Sequence, residues 1–75
     1  MMSVSKAIKI AMLKKNVGLK ELASRMGTTS QNLNNKFKRD NLSENDICHM
    51  ADSLGYDVKI ILIDKGTGEE ILDLE

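Results

Sequence analysis

Leu22-Ala23-Ser24-Arg25-Met26-Gly27-Thr28-Thr29-Ser30-Gln31-Asn32-Leu33-Asn34-Asn35-Lys36-Phe37-Lys38-Arg39 is the stretch on which the reading of this chain turns. Leu19, Leu22, Ala23 and Met26 recur at helical spacing and make one apolar face. Gly27 follows the last of them, where a helix commonly ends in the left-handed conformation that glycine adopts at little cost. Thr29 is a good N-cap for a second helix. That helix has only two strongly apolar anchors, Leu33 and Phe37, one turn apart. At about 100° per residue, Gln31, Asn34, Asn35 and Lys38 point away from them. Two short helices meeting at a tight turn are therefore expected, the first over Leu19–Met26 and the second over Ser30–Lys38.

A short helix that turns amides outward has a surface suited to reading base edges. Asn and Gln pair bidentately with adenine in the major groove of DNA, and cations at the far end of the helix suit phosphates. On Leu22-Ala23, Met26-Gly27, Thr28-Thr29-Ser30 and Leu33, the stretch resembles the helix-turn-helix of the lambda-repressor-like, Cro-type (XRE-like) DNA-binding family. The likeness runs from about Ile8 to Gly55. It implies a mainly α fold, a four-helix lambda-repressor-like helix-turn-helix domain with a C-terminal β-hairpin. Carried over position by position, it implies base reading by Ser30, Gln31 and Asn35. Backbone contacts would come from Lys20, Thr28, Thr29, Lys36, Lys38 and Arg39. For Asn32, Asn34 and Asn35, a helix end stocked with turn-forming residues stays open as the plainer explanation. The chain departs from the family at Gly18-Leu19, where threonine or serine followed by glutamine is usual. It departs again at Lys36, where a large apolar residue is usual and Phe37 is expected to fill the volume.

Composition sets the outer bounds. Seventy-five residues make one small domain whose core is marginal alone, which favours oligomerisation. Net charge is zero, but residues 1–42 carry nine basic and two acidic side chains, while residues 43–75 carry two basic and nine acidic. Such asymmetry implies an electropositive working face and an acidic back, or simply two halves that attract one another. A single cysteine makes no internal disulfide or metal cluster, and suits a reducing compartment. Met1–Ile10 has no signal-peptide core, and the apolar run Ile60–Ile63 is far too short to span a bilayer. A soluble cytoplasmic protein is expected, with no membrane partner and no small-molecule ligand.

The flanks follow the same logic. Ser5–Asn16 reads as a first helix with Val4, Ile8, Ala11 and Met12 as its core stripe, its lysines solvated, and Val17 packed beneath the next helix. Ser43, with Glu44 and Asp46 behind it, opens a fourth helix whose buried stripe is Ile47, Met50, Ala51 and Leu54. Cys48 is expected to be a packed small side chain flanking that stripe, and His49 a surface residue. Gly55 ends the helix.

Residues 1–55 thus form the helical unit, and residues 56–75 a hairpin belonging to the same domain. Val58 and Ile60–Ile63 are β-branched and apolar, Asp64–Gly68 is a turn signature, and Glu69–Leu74 returns as a second strand. Gly66-Thr67-Gly68 lacks the strand-to-helix context of a nucleotide loop. One strand face is expected to cover the helices. The other, left apolar, is an aggregation risk unless a second copy covers it. Ile61, Ile63 and Leu72 are the expected dimer contacts, against a monomer in which both strands fold back on their own helices.

These readings converge on a sequence-specific DNA-binding regulator of phage-repressor type, a homodimer on duplex DNA with no cofactor. The rival is a protein-interaction module on the same scaffold, an antitoxin-like or antirepressor partner. An enzyme is not expected, since no nucleophile–base pair assembles around one His and one Cys.

Overall fold

The computed structural model describes residues 3–73. Four helices come first: α1 Val4–Lys15, α2 Leu19–Met26, α3 Ser30–Arg39 and α4 Glu44–Leu54. A two-stranded antiparallel sheet follows, β1 Ile60–Ile63 and β2 Glu70–Asp73. The chain is mainly helical with one small hairpin. None of the helices is long and apolar enough to cross a membrane, among the described residues. Leu74, assigned above to the second strand, lies outside them.

Every helix ends at a left-handed residue, and all but α2 begin at a side chain that caps the open backbone groups. Ser3, Thr29 and Ser43 accept from the backbone N–H three residues on, and Asp46 returns the favour at Ser43 to complete a capping box. Gly18 begins α2 in extended conformation and offers no side-chain cap. Gly27, at φ 72°, ends α2, and Thr28 N–H then reaches back to Ala23 O at 2.9 Å. Asn16 (φ 55°) and Asp40 (φ 49°) end α1 and α3, being residues whose short polar side chains tolerate the left-handed region.

The core joins all four helices: Ile8 and Met12 from α1, Val17, Leu22 and Ala23 from α2 and its approach, Leu33 and Phe37 from α3, Met50 and Leu54 from α4. Leu22, Leu33 and Met50 are fully enclosed. Ile47, expected in the buried stripe of α4, is half-buried and outside the core cluster, and three further expectations need correcting. Val4 is not in the core stripe but 45% exposed, and Ser5 takes the inward place instead. Burial of that hydroxyl is tolerable because it donates to Asp40 Oδ1, at the end of α3. Cys48 is exposed rather than packed, since it lies about 100° round α4 from the apolar stripe.

The third correction concerns the hairpin, which covers no helix of its own chain. Its register pairs Ile61 with Leu72 and Leu62 with Ile71. Ile61, Ile63 and Leu72 therefore share one face, while Ile60, Leu62 and Ile71 share the other. All six are 44–64% exposed. The cause is the lead-in: Gly55 turns left-handed, and Tyr56–Lys59 runs on without regular structure, carrying β1 away from the helices. The molecule is accordingly drawn out to 43 × 23 × 21 Å with a radius of gyration of 13.8 Å. A compact chain of this length would have about 11 Å. At the tip, Asp64 Oδ1 accepts from Gly66 and Thr67 N–H.

Candidate nucleic-acid interface

Leu33 and Phe37 fasten α3 to the core, which leaves the rest of its circumference to solvent. Gln31, Asn32, Asn34, Asn35, Lys38 and Arg39 are exposed, and Ser30 is half-buried. Gln31, Asn35 and Lys38 stand at the centre of the outward face. Among the described residues none of these three side chains is engaged in a hydrogen bond, so their polar groups face water.

The turn before α3 is ordered by its own side chains. Thr29 Oγ1 accepts from Asn32 N–H at 3.1 Å, and Thr28 Oγ1 accepts from Asn32 Nδ2 at 2.9 Å. Each hydroxyl spends a lone pair in this way and keeps its own proton to donate outward. Two hydroxyl donors at a helix start, where the backbone N–H groups also carry partial positive charge, suit an anionic oxygen. Lys20, on the first turn of α2, is exposed.

Past the middle of α3 the surface becomes concave. Asn32, Asn35, Lys36, Arg39 and Asn41 line a polar hollow of about 370 Å³. Asn32, Asn35 and Arg39 are three and four residues apart and line up on one side of α3. The α3–α4 loop contributes Asn41, which sequence reasoning missed. Nothing in its local pattern marks it, because its place depends on how Asp40 turns the chain.

The cations are not equivalent. Lys36 Nζ lies 3.1 Å from both carboxylate oxygens of Asp46, with the two side chains 37% and 21% exposed. Its charge is thus largely met within the chain. The Ser43 N–H, followed by the Lys36 ammonium, holds the Asp46 carboxyl below its ordinary value. Arg25 is likewise spoken for: it pairs with Glu21 at 2.6 Å and donates to Ser53 O at 3.0 Å, tying α2 to the end of α4. Lys9 lies over the Phe37 ring, 5.5 Å from its centroid, and joins α1 to α3. Lys20, Lys38 and Arg39 have no carboxylate partner among the described residues. Of the residues expected to touch a backbone, then, Lys36 is already paired, while Thr28, Thr29, Lys38 and Arg39 lie on α3 and the turn before it, and Lys20 is exposed on the first turn of α2.

Among the described residues, no group of three or more His, Cys, Asp and Glu side chains gathers to hold a metal ion. The chain matches no protein-family model, and no curated protein or solved structure shows significant similarity to it.

Proposed function

We propose that this chain is a sequence-specific DNA-binding transcriptional regulator of the lambda-repressor-like helix-turn-helix kind, acting as a homodimer. The observation that supports this most is the outward side of α3. Gln31 and Asn35 expose amides that nothing among the described residues occupies, beside Lys38 and Arg39, on a helix whose orientation is set by Leu33 and Phe37. Ser30, Gln31 and Asn35 read base edges in the major groove, with adenine favoured where an amide pairs bidentately. Thr28, Thr29, Lys20, Lys38 and Arg39 contact phosphates and set the register. Two copies joined through Ile61, Ile63 and Leu72 present their α3 helices to successive major grooves, about 34 Å apart.

Selection from a random duplex pool, followed by a salt titration on the winning site, tests this. The expected result is a two-fold symmetric consensus with half-sites one turn apart, and binding that weakens steeply as salt rises. A pool that yields no consensus, or binding indifferent to salt, refutes it. The second reading, a protein-interaction module, is favoured by the exposed hairpin and the acidic second half. It requires that the chain leave duplex DNA unshifted.

A further inference from the structure

Two lysines of α1 rest on aromatic rings. Lys15 lies 4.9 Å from the centroid of Tyr56, in the lead-in to the hairpin, and Lys9 lies 5.5 Å from that of Phe37. Phe37 belongs to α3, so its ring brings Lys9 to the helix that bears the candidate interface. Phe37 is 6% exposed, whereas Lys9 is exposed. The lysine stem therefore lies against the ring while the ammonium stays in water. Ser5, one turn earlier on α1, ties the same side to Asp40 at the end of α3.

The position of Lys9 round α3 follows from its neighbours. Lys36 and Lys38 stand about 100° to either side of Phe37. Asp46 of α4 takes the Lys36 side. α1 thus lies along the side that Lys38 borders, and carries Lys9 there. The only acidic side chains in residues 1–42 are Glu21 and Asp40. Glu21 pairs with Arg25, and Asp40 accepts from Ser5. Asp40 leaves one negative charge at this end of α3, against Lys9, Lys38 and Arg39. Lys9 has no carboxylate partner among the described residues.

We propose that Lys9 is a phosphate anchor, through which α1 shares in the DNA interface. The inference rests on the DNA-binding reading above, and adds to it a contact from a helix that reading leaves out. Dimensions carry it. An α-helix with its side chains is about 10–12 Å across, and the major groove is about 8.5 Å deep. With Gln31 and Asn35 at the floor, the inward shoulder of α3 stands level with the lips of the groove, where the phosphates run. Phe37 is on that shoulder. A cation resting on its ring meets the sugar–phosphate chain and no base edge. The ring face covers one side of the ammonium and leaves protons on the other to donate. It also restrains the side chain before DNA arrives, so less rotamer freedom is lost on contact.

The test measures binding of the full chain to its selected operator by anisotropy at several salt concentrations. Lys9→Met removes the charge and keeps an unbranched apolar stem on the ring. Its plot of log K against log salt should be shallower by about 0.9 for each copy bound, about 1.8 for two. Over a fourfold rise in salt, the parent should then lose about twelvefold more affinity than the variant. Lys9→Arg should keep the parent's slope. Lys14→Met removes the same charge about 140° round α1 from Lys9, and should leave the slope nearly unchanged. In the parent chain, operator should slow acetylation of Lys9 at least fivefold while Lys14 reacts as before. That measurement needs no variant, so it decides the matter even where Lys9→Met fails to fold.

An unaltered slope in a folded Lys9→Met chain, or no protection of Lys9, overturns the anchor and leaves the DNA-binding reading standing. So does an equal loss of slope in Lys14→Met, since net charge alone would then account for it. If the parent shifts no duplex at any salt concentration, both fall.

Discussion

Asp46 holds Lys36 away from any outside anion, so neutralising Asp46 should hand the interface one more cation. Asp46→Asn keeps a side-chain oxygen to accept from Ser43 N–H and leaves the backbone N–H to Ser43 Oγ bond in place, so both halves of the capping box are kept, but it abolishes the ion pair. A near-surface pair of this sort is worth about 0–1 kcal/mol, to which the lost charge on the Ser43 N–H bond and at the start of α4 adds a similar amount. The gain appears on DNA. Each additional phosphate neutralised steepens the fall of log K against log salt by about 0.9, hence about 1.8 for two copies. Raising salt fourfold should then cost the variant about twelvefold more affinity than it costs the parent. Fluorescence anisotropy with a selected operator at several salt concentrations reads this directly, and thermal unfolding checks that the fold survives. The double variant Asp46→Asn with Lys36→Met restores the parent's charge balance, and should restore its slope. A variant slope equal to the parent's refutes the reasoning. So does a double variant that stays as steep as Asp46→Asn, since the effect would then come from the lost carboxylate alone.

Other outcomes follow from the same geometry. Asn35→Ala should relax sequence preference by about 1–3 kcal/mol at one base pair, whereas Lys38→Ala should weaken all duplexes alike, as binding to operator and scrambled DNA will show. Leu33→Ala, in a fully enclosed site, should cost about 2–5 kcal/mol in denaturant unfolding, and a loss under about 1 kcal/mol would contradict the burial. Gly18→Ser should stabilise by a few tenths of a kcal/mol, because that cap position is extended and an added Cβ meets nothing within 4 Å. Asp46 has a depressed folded pKa, so its contribution is complete above the ordinary aspartate value of about 3.9 and fades as pH falls through the lower folded value. Asp46→Asn should therefore flatten the acid limb of the stability–pH curve.

Helix limits were legible because punctuation and periodicity agreed. Met26-Gly27, Thr29, Ser43 and Gly55 each mark an end that the backbone uses. What escaped depends on partners distant in sequence. Ser5 displaces Val4 from the inward side only because Asp40, thirty-five residues on, accepts its hydroxyl. Lys36 is held by a residue of the next helix, and Asn41 enters the polar hollow through the left-handed turn at Asp40. The hairpin's apolar alternation announced strands but not where they would lie, since a lead-in of four residues can fold back or reach out with equal ease. At the interface, the outward places of Gln31 and Asn35 follow from helical angle alone, whereas the differing states of the cations do not.

The tie between Ser5 and Asp40 has an evolutionary consequence. Thr29 caps one end of α3, that tie anchors the other, and two side chains root it in between, so its orientation is set from three places. If α3 reads base edges as proposed, a new target is met by exchanging outward letters on an unchanged type bar. Such exchanges leave the core intact, so descendants of this chain can diversify their vocabulary while their architecture stays still.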